Sequence, residues 1–179
     1  MIRILATLSL AATTLITAPA LAETRAFRAD YSVTLLGLPV AKASFDSTFD
    51  GKRFRIEGSL SSSGIARLFD DTDGTTKVEG VISGGKIRPN AFSANYISGR
   101  KKGTTEIRFA NGAVKSAVNL PHKTRDPKSW VKASASHLKA ALDPLSATLV
   151  VASKPSEVCN RTIRFFDGEL RADLKLQQA

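Results

Sequence analysis

Ser134, Ser136, His137 and Asp143 supply the residue types of a nucleophile, a base and an orienting acid within one short stretch. Acyl-transfer chemistry would need hydroxyl, imidazole and carboxylate to converge. Nothing in their spacing imposes that convergence, and a partly exposed helix histidine accounts for His137 more simply. Gly80 with Gly85-Lys86 copies half of a phosphate loop, but Ile87 stands where a hydroxyl would hold magnesium and no helix follows. That stretch reads as a hairpin turn. Asp71-Thr72-Asp73-Gly74 copies the middle of a calcium loop, with Phe69 at the first ligand position and Gly80 at the closing one, which argues against a specific site. No Cys/His cluster is present for zinc. No catalytic, cofactor-binding or metal-binding residues are therefore assigned.

Charge is the stronger signal. The 179 residues carry 26 Lys and Arg against 16 Asp and Glu, a formal net charge of +10. Residues 23–85 and 140–179 are nearly balanced, whereas residues 86–139 hold 12 basic side chains and only Glu106 and Asp126 as acids. Within that segment Arg100, Lys101, Lys102 and Arg108 fall on strands and turns, and Lys123, Arg125 and Lys128 on a following loop. Such an excess attracts anions over about 8 Å at physiological salt. The alternative is a solvated basic face with no partner.

Residues 1–22 have the layout of a secretory signal: Arg3, an apolar run, Pro19, then Ala20-Leu21-Ala22 with small residues where a signal peptidase reads. Cleavage after Ala22 would place the protein in a periplasm. The apolar run is short for a membrane anchor. There, an anionic lipid, lipopolysaccharide or an acidic envelope protein becomes the expected partner, with peripheral membrane contact and no nucleic acid. The lone Cys159 cannot form an internal bridge; it is buried and inert, paired with another chain, or left without a missing partner.

The elements that would position these groups are mostly strands. Phe27, Ala29, Tyr31, Val33 and Leu35 alternate with polar residues, and the same period of two recurs over 41–49, 53–60, 75–82, 91–98, 104–109 and 113–120. Asp50-Gly51 and Asn111-Gly112 are hairpin signals. Gly37-Leu38-Pro39 is read as a turn, Pro89-Asn90 as a loop, and residues 65–69 as a short helical turn. The period then changes. Ala135, Leu138, Ala141 and Leu142 are spaced as on a helix, and Asp143-Pro144 looks like a cap and first position of a second one. A last hairpin spans 161–176. The expected fold is mainly β (α+β): after the signal segment, a single antiparallel domain, 23–179, whose strongly curved sheet or half-barrel wraps around one or two short helices at 132–152. The hollow between them, lined by Phe45, Phe49, Phe54, Phe92, Phe109, Leu138, Leu142 and Leu145, is either filled by those side chains or open to a ligand.

Four segments carry a resemblance: Tyr31-x-Val33 with Leu36-Gly37-Leu38-Pro39-Val40; Arg55-Ile56-Glu57-Gly58; Leu142-Asp143-Pro144-Leu145-Ser146; and Phe166-Asp167-Gly168 before a strand. In that order they resemble the exported bacterial family called domain of unknown function 3108, from about Phe27 onward. The resemblance implies no reaction. Members usually continue past the Phe-Asp-Gly hairpin and bring a second Cys, so the chain resembles a C-terminally shortened member with an exposed edge over 170–176. The expected function is a non-enzymatic binding scaffold using its basic 86–139 segment; the alternatives are a carrier of a hydrophobic ligand in the hollow, then an envelope hydrolase using His137.

Overall fold

A computed structural model describes residues 24–69, 71–126 and 128–178. The expected signal segment, residues 1–22, lies outside them. Seven strands form one antiparallel meander in chain order: β1 (Thr24–Leu35), β2 (Leu38–Asp50), β3 (Arg53–Ser62), β4 (Thr72–Ser83), β5 (Lys86–Ser98), β6 (Lys101–Ala110) and β7 (Ala113–Leu120). The alternation of apolar and polar residues specifies this, because it gives the central strands one face to bury and one to hydrate; the apolar side chains of the edge strand β1 stay largely exposed. A separate hairpin, β8 (Arg161–Phe166) and β9 (Arg171–Leu176), follows. The seven-stranded sheet stays open, with β1 and β7 at its edges. The short helix α1 (Ala66–Phe69) stands in the β3–β4 connection, as expected.

Successive hairpins alternate between two ends of the sheet. The 36–37, 63–71 and 99–100 connections lie at one, here the Gly37 end; the 51–52, 84–85 and 111–112 turns lie at the other, the Gly85 end. The first turn is made by Leu36 and Gly37, both with positive φ, so Leu38 and Pro39 already belong to β2. Pro89-Asn90 is not a loop. The register slips there between Glu79 and Gly80, so one extra residue is absorbed as a bulge inside β5.

The inner face of the sheet carries the core. Phe54, Ile56, Val78, Phe92 and Ile107 are buried there and are covered by Ala141, Leu145 and Phe166. Each large side chain contributes about 1.5–3 kcal/mol by leaving water. Three aromatic rings on this face lie over glycines of the neighbouring strand: Phe45 faces Gly58, Phe54 faces Gly80 and Tyr96 faces Gly103.

The expected helices at 132–152 are absent. Their backbone groups are used elsewhere: the Val114 amide donates to the Leu138 carbonyl, Ala140 to Gly112, Leu142 to Arg164, and Phe166 to Leu142. Ala140 has φ of 54°, which no α-helix allows. The segment is a bridge between the β6–β7 turn and β8, and only Ser146–Thr148 forms a 3-10 turn. Helical spacing of apolar residues was satisfied by irregular backbone whose partners lie across the sheet edge.

The outer face is a ladder of alternating charge. Arg28 pairs with Asp30 and Asp46 (3.2 Å each), Arg55 with Glu57 (2.5 Å) and Glu79 (3.1 Å), and Lys77 with Glu79 (3.0 Å). The Lys77 ammonium, ahead of the opposing effect of burial, holds the Glu79 carboxyl below its ordinary pKa. The Glu57 carboxylate raises that of Arg55. Solvent-exposed pairs of this kind contribute little stability each. Their main effect here is to neutralise this face.

Candidate functional site

At the Gly85 end the covering segment does not close onto the sheet. An open groove of about 460 Å³ remains between the β4–β5 turn, the β6–β7 turn, residues 140–142, residues 149–151 and β8. Ile87, Phe109, Leu142, Leu149, Val151 and Ile163 give it apolar walls. Lys86, Arg88, Arg161 and Arg164 supply four cations, and no Asp or Glu lines it. The volume is that of a small-molecule site.

The cations are held differently. Arg164 reaches Asp173 on β9 at 4.0 Å. Arg161 donates through Nη2 to the Glu157 carbonyl, while its Nε is buried without a hydrogen-bond partner. Neither Lys86 nor Arg88 joins an ion pair among the described residues. The groove therefore has an unsatisfied buried donor in its wall and, in Lys86 and Arg88, two cations without an acidic partner among the described residues, a setting that favours an anion over a neutral ligand.

Asp143 follows the 140–142 wall of the groove in the chain and is itself buried in the core. Its Oδ1 accepts the amides of Leu145 (3.0 Å) and Ser146 (2.9 Å), and the Ala147 amide donates to its carbonyl (2.9 Å). This is the capping role the sequence suggests, with a single 3-10 turn in place of a helix. Asp143 and Ser146 are fully buried, and Asp143 Oδ2 and Ser146 Oγ lack hydrogen-bond partners. Burial pushes the Asp143 carboxyl above its ordinary pKa; the amides bonded to it pull it back.

The structure does not assemble the Ser–His–Asp set. His137 is exposed and accepts the Ser134 amide through Nδ1 at 3.3 Å, Ser134 and Ser136 hydroxyls bond to each other at 2.8 Å, and Asp143 is occupied in the core.

The seven expected anion-binding cations do not form one site. Arg100, Lys101 and Lys102 sit at the Gly37 end, where Lys123 follows the end of β7. Arg108 is on the outer face of β6, opposite Ala91 and Ser116. Arg125 is committed to an ion pair with Glu169 and lies 4.7 Å over the Trp130 ring. Lys128 stands beyond it on the loop, its amide bonded to Asp126. None of the seven lines the groove, although Lys86 and Arg88 open the same 86–139 segment. Of the expected hollow residues, Phe54, Phe92 and Leu145 are buried in the core, and Phe45, Phe49, Phe109 and Leu138 pack half-buried against it. Only Phe109 and Leu142 reach the open groove. Sequence reasoning missed Arg161 and Arg164 because they lie in a stretch whose charge balances, and only the fold brings β8 beside the β4–β5 turn.

Fold and groove together define an antiparallel meander domain with one cation-rimmed, apolar-walled opening. Residues 30–179 match the family model described as a protein of unknown function (DUF3108), and the chain belongs to that family. No curated protein and no solved structure matches it.

Proposed function

We propose that this is a non-enzymatic periplasmic binding protein for an anionic amphiphile, the apolar tail in the groove and the anionic head among Lys86, Arg88, Arg161 and Arg164. The observation that carries the reading is the composition of that groove: hydrocarbon walls, four cations and no carboxylate. An apolar pocket alone would accept any greasy molecule. Cations at its rim select those with a negative head. The signal-like N-terminus supports a location where such molecules are abundant. The groove's modest size suits one acyl chain.

The test is a fluorescence titration with a labelled long-chain carboxylate and the matching neutral alcohol. The carboxylate should bind more tightly, and the variant carrying Lys86→Gln and Arg88→Gln should lose about tenfold for the carboxylate and little for the alcohol, as expected for rim charges. Equal binding of the two probes, or an unaltered preference in the variant, would remove the electrostatic half of the proposal. No binding of either would remove all of it.

A further inference from the structure

The Gly37 end carries a second surface that the groove does not use. Leu36 occupies the tip of the first hairpin and is 95% exposed, with Leu35 (64%) and Leu38 (49%) beside it. Hairpin tips in water favour Gly, Asn and Asp. Leu36 buries almost nothing in the folded chain, and Leu35 and Leu38 leave about half or more of their surface in water. The neighbouring connection joins them: the Ser63 amide donates to the Val40 carbonyl at 2.9 Å, and Gly64 lies so close to Pro39 that a side chain would strike its carbonyl. That contact sets Ile65, 45% exposed, alongside the leucines. At the far end of the same connection the Gly99 amide donates to the Asp71 carbonyl at 3.2 Å, which ties in the β5–β6 turn and hence Arg100, Lys101 and Lys102. These three join no ion pair among the described residues. Asp71 is paired with Arg67 at 3.1 Å, which leaves Asp73 as the nearby described carboxylate without a salt bridge.

We infer that this end is a membrane-docking surface, with Leu36 and its neighbours entering the acyl boundary of an anionic lipid bilayer and residues 100–102 meeting the head groups. The inference goes beyond the groove reading and does not depend on it. Two features select a bilayer over a protein partner. The apolar element is convex and protruding, so it offers little area to a folded interface but inserts readily into a fluid one. The adjoining cations have complementary charge in an anionic leaflet, where each raises partitioning roughly fivefold.

The experiment is vesicle co-sedimentation of the chain as its host exports it, its N-terminus read by intact mass. Vesicles of phosphatidylglycerol with phosphatidylcholine are compared with phosphatidylcholine alone, at low and high salt. Binding should require phosphatidylglycerol and weaken with salt. Leu36→Asp should reduce it by tenfold or more, and replacing all three of Arg100, Lys101 and Lys102 with Gln on the order of 100-fold. Both variants lie at exposed positions, and thermal melts should match the parent. Equal binding to neutral vesicles, or binding untouched by either variant, would overturn the inference. So would Leu36-dependent self-association without lipid, which would make the tip a contact between copies. The Lys86→Gln and Arg88→Gln variant should sediment like the parent, so failure of the groove reading and failure of this one are distinguishable.

Discussion

The Tyr96 ring occupies the space over Gly103 of the adjacent strand, and a Cβ placed on that glycine would collide with it. The glycine supplies the room and the tyrosine covers backbone that would otherwise be wet. Gly103→Ala should therefore destabilise by about 1–3 kcal/mol, the usual cost of overpacking. Urea unfolding gives the value; the variant with Tyr96→Leu added should recover part of it. A neutral Gly103→Ala would mean that the ring is not held there.

Asp143 makes two opposed predictions. Asp143→Ala loses both amide acceptor bonds and should cost about 2 kcal/mol. Asp143→Asn keeps the oxygen that caps Leu145 and Ser146 while removing a charge from the core. The folded pKa is raised by burial, so the folded state holds this proton more tightly than the unfolded state does. The penalty is absent below the unfolded value, grows as pH rises between the two values, and is complete above the folded one. Asn should thus be at least as stable as Asp at neutral pH and lose its advantage in acid. Thermal melts across that range decide it; an Asn variant that is worst at neutral pH contradicts the sign.

Asn119 ties the β8–β9 hairpin to the sheet edge. It accepts from the Thr105 hydroxyl (2.6 Å) and donates to the Gly168 carbonyl (3.0 Å). Asn119→Ala should cost about 1–2 kcal/mol, with faster amide exchange over residues 161–176. Because β8 is a wall of the groove, affinity for the labelled carboxylate should fall with it. Unchanged exchange would show that the backbone bonds of Leu142 to Arg164 and Phe166 suffice.

Ligand binding and fold stability should respond differently to salt. The outer-face pairs are exposed and mutually compensating, so the melting temperature should shift little as salt rises. Carboxylate binding at the unpaired groove cations should weaken steadily over the same series. The reverse pattern would place the useful charge on the ladder.

The strands were legible because apolar and polar residues alternate along them, as from Phe27 to Leu35 and Thr104 to Phe109, although β1 stays largely exposed on both faces; Asn111-Gly112 is a turn as read, and the turn signalled by Asp50-Gly51 falls one residue later, at 51–52. Residues 132–142 were misread for a physical reason. Apolar spacing reports which side chains are to be buried but not where the backbone bonds go, and here the Leu138, Ala140 and Leu142 groups bond to β7, to the Gly112 turn and to β8. Local charge counting failed in the same way. It marked Arg125, whose partner Glu169 lies far along the chain, and passed over Arg161, whose importance comes from lining the same fold-made groove as Lys86. Asp143 was recognised as a cap, but its complete burial depended on the sheet beneath it.

The alternation of hairpins places the pocket mouth and the leucine tip at opposite extremities, about 30 Å apart for strands of this length. A molecule resting on its tip would stand upright with the mouth turned toward the aqueous side. Its cargo would then arrive from solution or from a donor protein rather than be drawn from the sheet of lipid underfoot, and loading would not require the molecule to let go.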